Sequence, residues 1–235
     1  MWKIKILDEI NSTQDEAIEY INNTKNNYSY TFYSPKQKKG YGTNKRVWVS
    51  TEESFAASFA IPFEKYYPFE DINLSILVGV LVLEQLEHIL KKPQYYYSLK
   101  WPNDLLINGK KIGGILINKI NKKNVIWIVI GIGINIKKYK KYKKFTLGSL
   151  FEKKQSSTKF NHMTIIKQLI KNFSELTSIK SFDYFVEEFN KRDYYKNKMI
   201  KVQLSNNYEY TGKNKGINND GNLIIELSNN NEILV

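Results

Sequence analysis

One short segment, residues 100–117, combines several side chains that could act on a ligand; it reads KWPNDLLINGKKIGGILI. Lys100 and Trp101 precede a Pro-Asn-Asp corner that supplies Asn103 and Asp104. A lysine in this setting is either a solvated surface residue or a fixed positive charge aimed at a site, and its polar neighbours favour the second interpretation. The segment therefore predicts a charged site at this corner.

Two glycine pairs lie in segments that otherwise have the composition of strands. Gly113 and Gly114 lie inside the strand that follows the corner, where glycine lowers stability. Either the strand bulges there or a ligand lies against its backbone, and we favour the ligand. Gly131 and Gly133 form a Gly-x-Gly sequence, which is a weak signal by itself.

A third glycine-containing segment, residues 36–46, carries five positive charges and no acidic residue; it reads KQKKGYGTNKR. It has no sustained hydrophobic period, so it is predicted to be a mobile loop over the surface. Such a loop could be merely solvated. Its glycines and its charges favour a cover over phosphate groups.

The remaining chemistry is limited by two residue types. The chain has no Cys, which excludes disulfides, thiolate metal sites and Cys nucleophiles, and its two His residues, His88 and His162, are isolated, which argues against a His-based metal site. Any reaction must therefore depend on Lys, Arg, Asp, Asn, Ser, Thr and backbone groups.

Length and composition indicate a globular protein. With 235 residues, 42% of them hydrophobic, the chain can bury one domain core and a small second one. No run approaches the roughly 18 apolar residues of a membrane span, and the first residues turn acidic too early for a signal peptide. We expect a cytoplasmic protein that does not bind a membrane.

The net charge of +13 makes nucleic-acid binding an alternative function. From Phe185 to the end, however, seven Lys/Arg balance seven Asp/Glu, and the excess is concentrated in residues 36–46 and 137–144. Asn, Lys, Ile and Tyr are abundant throughout, as expected for an AT-rich genome. We therefore interpret most lysines as solvated, and no DNA partner is expected.

Hydrophobic periodicity predicts a chain of mixed strands and helices. The predicted strands are 2–6, 29–34, 54–61, 98–101, 105–107, 111–118 and 125–135, and the predicted helices are 13–23, 71–90, 162–176 and 181–191. After residue 190, short strands alternate with turns, which predicts a small antiparallel barrel.

Cap and turn residues mark several of these boundaries. Asn11, Ser12 and Thr13 are candidate N-caps of the first helix, with Thr13 and Glu16 at capping-box spacing. Asp71 is the predicted cap of the main core helix. Asn108-Gly109 predicts a two-residue type I′ hairpin.

The sequence KWPNDLLINGKKIGGIL resembles the signature of biotin protein ligases. Three further motifs agree in order over residues 8–150: the pair Ser12-Thr13, the glycine-rich basic loop from Gly40 to Trp48, and GIGIN at 131–135. The resemblance implies an α/β (α+β) fold, a mixed sheet with helices related to class II aminoacyl-tRNA synthetases, followed by an SH3-like β-barrel. The expected domains are residues 1–190, which are catalytic, and 191–235.

By the same resemblance, the chain is expected to be a short form that starts on the catalytic domain and lacks an N-terminal DNA-binding domain. The implied reaction is ATP-dependent: biotin is activated as biotinyl-5′-AMP and then transferred to a lysine of the biotin carboxyl carrier domain of acetyl-CoA carboxylase or a related carboxylase. The implied ligands are ATP, biotin and Mg²⁺. A homodimer is left open.

The resemblance also implies roles for individual residues. The catalytic residues would be Lys100 and Arg46. Those that bind biotin would be Ser12, Thr13, Gln37, Gly40, Gly42, Lys100, Gly113, Gly114 and Ile115. Those that bind ATP or the adenylate would be Lys45, Arg46, Trp48, Asn103 and Asn135. Asp104 would either orient Lys100 or help to hold Mg²⁺.

The loop departs from the family pattern, which commonly reads G-R-G-R-x-G-R-x-W where this chain has GYGTNKRVW. Tyr41 and Thr43 replace two arginines, and Lys45 replaces a glycine. Since Thr43 lacks a charge-assisted contact to the adenylate, weaker retention of that intermediate is expected unless Lys45 substitutes. At residue 118 the family often carries Glu, and this chain has Asn118, so no role is carried over to it.

Two other functions remain as alternatives. One is a lipoate ligase or octanoyltransferase of the same superfamily, of which the Cys-dependent kind is excluded by the absence of Cys. The other is a nucleic-acid-binding protein whose basic loops are its functional surface, and such a protein would lose affinity steeply with salt.

Overall fold

The computed structural model describes residues 1–49, 53–63, 73–137, 148–151, 160–175, 181–204 and 208–235. The chain forms two compact units. Unit 1 comprises Met1–Pro68 and Lys110–Lys171, and unit 2 comprises Phe69–Gly109 and Asn172–Val235. The predicted functional division at residue 190 stays a prediction.

Within the described residues, unit 1 contains a mixed sheet and two α-helices. Its elements are β1 (Trp2–Ile6), α1 (Thr13–Asn23), β2 (Ser29–Ser34), β3 (Ser54–Phe63), β6 (Lys110–Lys122), β7 (Val125–Asn135) and most of α3 (His162–Ser174). The strands lie in the order β1-β2-β3-β7-β6. Strand β1 runs parallel to β2, and the other neighbours are antiparallel.

Helix α1 packs on this sheet through residues at helical spacing. Ala17 and Ile21 are fully buried and pack with Phe32, Ala60 and Trp127 of the sheet. Burial of side chains of this size contributes about 1.5–3 kcal/mol for each large one. This packing fixes the N-terminal turn of α1 over the same face of the sheet.

Both ends of α1 are capped by side chains. At the N-terminus the Ser12 hydroxyl accepts a hydrogen bond of 3.2 Å from the backbone N–H of Asp15, so Ser12 is the cap and the predicted Thr13–Glu16 capping box is wrong. The reason is that the Thr13 hydroxyl bonds to Gln37 and Ser58 instead. At the C-terminus the Lys122 ammonium donates to backbone carbonyls of the last turn, including that of Asn22 at 3.1 Å.

Unit 2 combines two helices, a hairpin and the C-terminal sheet. Its elements are α2 (Leu74–Leu90), β4 (Tyr97–Lys100), β5 (Asp104–Ile107), α4 (Phe182–Arg192), β8 (Met199–Gln203), β9 (Glu209–Ile217), β10 (Leu223–Glu226) and β11 (Glu232–Leu234). The last four strands form an antiparallel sheet in the order β11-β10-β9-β8. Together with the mixed sheet of unit 1, they confirm the predicted fold class.

Polar side chains join α4 to the C-terminal sheet within unit 2. The Asn190 amide donates to the Ile217 carbonyl at 3.1 Å and accepts from the Ile217 N–H at 2.9 Å. The buried Asp193 carboxylate accepts from Asn214 Nδ2 at 2.8 Å, and burial raises the pKa of this carboxyl. The end of α4 is thereby fixed to β9.

The predicted turn and cap residues agree in part. Asn108 and Gly109 have φ values of 51° and 72°, both positive, which confirms the predicted type I′ turn. Helix α2 begins at Leu74, and the Asn73 side chain caps it by accepting from Ser75 N–H. The predicted cap, Asp71, lies outside the described residues. None of the helices in the described ranges is long and apolar enough to span a membrane.

His162, at the start of α3, lies in an aromatic cluster of unit 1. Its ring centroid is 5.5 Å from that of Tyr33, 5.2 Å from that of Phe160 and 6.3 Å from that of Phe55. Burial lowers the pKa of His162, since the charged form is poorly solvated there. The folded protein therefore disfavours the charged form of this imidazole.

We expect the free energy of unfolding to fall as pH is lowered below the ordinary His pKa of 6.5, because the unfolded chain then binds a proton that the folded chain resists. The slope for one proton is at most about 1.4 kcal/mol per pH unit. The free energy of unfolding is measured in urea between pH 5 and 8 for wild type and His162→Phe. The difference between the two free energies should change below pH 6.5 and be constant above it. His88→Phe is the matched control, and a constant difference for His162→Phe throughout would contradict the prediction.

Candidate functional site

Three neighbouring strands of unit 1 meet in a strip of very small residues. Ala56 of β3 pairs with Gly133 of β7, which in turn pairs with Gly114 of β6. Residues directly opposite in a sheet point to the same face, so these three, here called the small-residue strip, leave one part of that face without large side chains of its own. The face is open for groups from other elements.

The first turn of α1 reaches this face through a set of buried polar side chains. Gln37 Oε1 accepts from the Thr13 backbone N–H at 2.8 Å and lies 3.1 Å from Thr13 Oγ1. Ser58 Oγ is 2.9 Å from both Thr13 Oγ1 and Gln14 Oε1. Gln37, Thr13, Ser58 and Gln14 therefore form one continuous series of polar contacts, here called the polar chain.

The two glycines of GIGIN accommodate side chains of the protein. A Cβ at Gly131 would lie 2.4 Å from Gln14 Oε1, and a Cβ at Gly133 would lie 2.8 Å from the Trp48 ring. Any larger residue at either position would displace a side chain that packs on the sheet. The Gly-x-Gly sequence thus positions Gln14 and Trp48 in this structure.

Gly113 and Gly114 lie in a regular part of β6. Gly113 pairs with Ile134, Gly114 with Gly133, and the register continues one to one through Ile115 and Ile132 to the end of the strand. The alternative of a bulge is therefore wrong. The glycines instead lie in an unbulged backbone, in which Gly114 is paired with Gly133, the residue beside the Trp48 ring.

The loop of residues 36–48 is held along its length by backbone hydrogen bonds. Lys38 N–H and Lys39 N–H donate to the carbonyls of Ile10 and Asn11, each at 2.8 Å. Trp48 N–H donates to the Gly40 carbonyl at 2.9 Å. The loop therefore follows the segment that enters α1.

Two of the five positive charges in this loop are paired. The Glu9 carboxylate contacts the ammonium groups of Lys36 and Lys38, the latter at 2.6 Å. These hydrogen bonds lower the pKa of Glu9 to about 2. The sequence of the loop contains no acid, but the fold supplies one, so only Lys39, Lys45 and Arg46 remain as candidates to cover phosphate groups.

The tip of the loop exposes Lys45 and Arg46, which lie in and just after a short 3₁₀ turn, Thr43–Lys45. Gly42 N–H donates to the Arg46 carbonyl at 2.8 Å and closes the tip. Asn135, at the end of β7, is buried, and its Nδ2 donates to the Gly148 carbonyl at 3.1 Å. The roles of these residues towards an adenylate stay predictions.

In unit 2, Lys100 and Asp104 face each other across the β4–β5 pair. The Lys100 ammonium is 3.7 Å from Asp104 Oδ2, and the lysine side chain is 49% exposed. The pair matches the interpretation in which Asp104 orients Lys100. Among the described residues no group of three or more His, Cys, Asp or Glu could hold a metal ion. A Mg²⁺ at Asp104 would therefore take its other ligands from phosphates and water.

The predicted site residues are divided between the two units. Unit 1 contains Ser12, Thr13, Gln37, Gly40, Gly42, Lys45, Arg46, Trp48, Gly113, Gly114, Ile115 and Asn135, and unit 2 contains Lys100, Asn103 and Asp104. Sequence reasoning missed Gln14 and Ser58, and it assigned no role to Asn118 or Tyr41. The available signal was a polar residue among apolar ones: Ser58 lies between the apolar residues 55–57 and 59–63, and Gln14 lies on the apolar face of α1.

Comparison with known proteins agrees with these motifs. The biotin/lipoate A/B protein ligase family matches residues 7–135, which is more than half of the chain. The chain belongs to this family. The resemblance predicted from the K-W-P-N-D and K-I-G-G-I motifs is thereby confirmed.

Several members of the biotin/lipoate ligase family are similar to this chain. It is 32% identical over 105 residues to Biotin--protein ligase 2 of Arabidopsis thaliana, covering 43% of this chain and 31% of that protein. It is 36% identical over 135 residues to the bifunctional ligase/repressor BirA of Bacillus spizizenii, covering 55% of this chain and 39% of that protein. The matched region thus spans about a third of the length of these relatives.

A solved structure of the family covers almost all of this chain. The biotin protein ligase from Aquifex aeolicus, in complex with biotin and ATP, is 26% identical, with a TM-score of 0.74 over 99% of this chain and 96% of that one. The BirA protein of Escherichia coli is 24% identical over 230 residues, covering 95% of this chain and 69% of that protein.

Within this ligase-family fold, Tyr41 fixes the loop to α1. Its hydroxyl donates to Asp15 Oδ1 at 2.6 Å, and its neighbour across the loop is Val47. Burial, together with the bond to Asp15, raises the pKa of Tyr41 to about 12, so the hydroxyl is a neutral donor at physiological pH. Where the family pattern has an arginine, this chain has Tyr41, which fixes the loop to α1 through its bond to Asp15.

Tyr41→Phe should therefore loosen the loop, since hydrogen bonds to charged groups contribute about 1.5–3 kcal/mol. We expect cleavage by trypsin after Lys45 or Arg46 to accelerate about tenfold or more, provided that cleavage follows local opening. The measurement is the rate of loop cleavage under native conditions. Tyr28→Phe, on an exposed residue, is the control. Equal cleavage rates for Tyr41→Phe and wild type would show that the backbone bonds alone hold the loop.

Proposed function

We propose that this chain is an ATP-dependent ligase that activates biotin as biotinyl-5′-AMP and transfers biotin to a lysine of a carboxyl carrier domain. The observation that carries the proposal is the polar chain at the N-terminus of α1, beside the small-residue strip and Trp48. It lies within the residues that match the family, and the similar Aquifex aeolicus ligase was solved with biotin and ATP.

The polar part of this arrangement suits a flat ligand that carries both donors and acceptors. Thr13 Oγ1 lies 3.1 Å from Gln37 Oε1, and the Ser12 hydroxyl belongs to the preceding residue, where it caps α1. Amide and hydroxyl groups can serve as donor or acceptor. The ureido ring of biotin has a carbonyl acceptor and two N–H donors. The small-residue strip would let the ring or its chain lie close to the backbone of β6 and β7.

The proposed reaction has two steps. A carboxylate oxygen of biotin attacks the α-phosphorus of ATP, the bond from that phosphorus to the bridging oxygen breaks, and pyrophosphate leaves. The neutral amine of the carrier lysine then attacks the acyl carbon, AMP leaves with the bonding electrons, and the amine loses a proton. Both transition states concentrate negative charge, so the protein needs fixed positive charge and no nucleophile.

Lys100 is the proposed source of that charge in the first step. Its ammonium is half-exposed, and the Asp104 carboxylate lies near enough to orient it. Arg46 and Lys45, exposed at the loop tip, are proposed for the phosphate groups. Mg²⁺, when bound, would neutralise phosphate charge, with Asp104 as its candidate protein ligand. Residues 1–190 are proposed as the catalytic domain, and residues 191–235 as the small barrel.

The proposed function is tested by measuring pyrophosphate release from ATP with and without added biotin. We expect release to depend on biotin. The family also includes lipoate ligases, so lipoate and octanoate are measured in parallel. Equal release with either of these acids would contradict the choice of biotin, and no release with any of them would contradict the proposed adenylation.

Lys100→Ala should lower the rate of adenylate formation by about 10²–10³-fold, the usual effect of losing one electrostatic stabiliser. Biotin binding should change far less, because the charge that Lys100 meets is greatest in the transition state. Pre-steady-state pyrophosphate release and the Kd for biotin measure the two effects. Lys110→Ala, on another exposed lysine, is the matched control. Wild-type turnover by Lys100→Ala would show that Lys100 has no catalytic role.

A further inference from the structure

Gln14 occupies a place that the sheet reserves for it. It lies in the first turn of α1, is only 4% exposed, and its Oε1 fills the space where a Cβ at Gly131 would lie. The donors and the acceptor of a buried amide need hydrogen-bond partners, because a buried polar group without a partner lowers stability. The partners of Gln14 therefore show which way its amide faces.

The neighbouring backbone fixes that direction. Gln14 Nε2 is 2.8 Å from Asn118 Oδ1 and 3.3 Å from the Val129 carbonyl, which can only accept. The nitrogen must face these two groups, so Oε1 faces Ser58 Oγ at 2.9 Å. At the other end of the polar chain, the Thr13 N–H fixes Gln37 Oε1 as an acceptor in the same way.

The polar chain has fewer protons than contacts. Its four oxygens, in the order Gln37, Thr13, Ser58 and Gln14, make three contacts of 3.1, 2.9 and 2.9 Å. Both terminal oxygens only accept, and the two hydroxyls carry one proton each. Two protons thus serve three contacts, and the direction of the Ser58 proton decides how many lone pairs of Thr13 Oγ1 remain available.

We propose that Gln14 is a positioning residue: its Oε1 holds the Ser58 proton, which leaves Thr13 Oγ1 free to accept an N–H of the ligand. The inference rests on the proposed function, since it takes the ligand N–H to be that of a ureido ring. Gln14 itself does not contact the ligand. It acts through Ser58 on the one atom of Thr13 that can.

This arrangement has a consequence that simple damage to the fold would not produce. In Gln14→Met the Ser58 proton loses its acceptor and turns to Thr13 Oγ1, where it competes with the ligand N–H. The Kd for biotin should rise about tenfold, the effect of weakening one hydrogen bond. Ser58→Ala removes the competing proton, so the double variant should bind biotin within about threefold of Ser58→Ala alone, and more tightly than Gln14→Met.

The experiment is calorimetric titration of biotin into wild type, Gln14→Met, Ser58→Ala and the double variant. Gln94→Met, the same change on an exposed residue, is the matched control. Gln14→Asn is measured in parallel, because its shorter side chain withdraws the acceptor but keeps an amide if Gln14→Met does not fold. The KM for ATP should be unchanged in each variant.

The outcomes separate the two proposals. Rescue of biotin binding by Ser58→Ala supports the positioning role. The positioning role is overturned, and the proposed function left intact, by either of two results. One is a double variant that binds biotin no more tightly than Gln14→Met, and the other is a KM for ATP that rises by the same factor as the Kd for biotin. A wild-type protein that binds no biotin contradicts the proposed function itself.

Discussion

The burial of the polar first turn of α1 is the constraint on which the candidate site in unit 1 depends. Thr13 and Gln14 are each under 5% exposed, although both carry groups that must form hydrogen bonds. A buried polar group without a partner costs about 1–3 kcal/mol, so the sheet has to supply partners at fixed places. It does so with Ser58 on β3, Asn118 on β6 and the Val129 carbonyl on β7. The apolar packing of Ala17 and Ile21, one and two turns further along, holds the helix where these bonds can form.

The close approach of two side chains to β7 explains why glycine occurs where it does on that strand. An amide and an indole ring both approach β7 within the distance at which a Cβ would clash, at Gly131 and Gly133 respectively. Glycine in a strand lowers stability and weakens the sheet, and this cost is offset by what the side chains gain in packing and hydrogen bonding. The alternation of β7 makes the intervening Ile132 point to the other face, where it is buried. A Gly-x-Gly spacing on one strand thus serves one face of the sheet only.

Charge in the loop of residues 36–48 is distributed by the fold as well as by the sequence. Glu9, which precedes α1, neutralises part of a run that is entirely basic in sequence, and Tyr41 bonds to the acid in the first turn of α1. The residues left exposed at the tip are Thr43, Asn44, Lys45, Arg46 and Val47. In this chain the contacts of Glu9 and Tyr41 therefore stabilise the conformation of the loop. The charges that can meet a phosphate are concentrated near its tip.

The sequence by itself determined most of the elements and the family. The strands at 2–6, 29–34 and 125–135 and the first helix were predicted at their observed bounds, and the type I′ turn at Asn108-Gly109 was predicted with its reason. These features follow from local periodicity and turn chemistry, which act between residues close in the chain. The tertiary structure alone decided that Ser12 rather than Thr13 caps α1, that Gly131 accommodates Gln14, and that Glu9 pairs with the basic loop. Each of these depends on groups that the fold brings together from distant parts of the sequence, 104 residues apart for Gln14 and Asn118, and no local pattern encodes which partner a buried polar group will find.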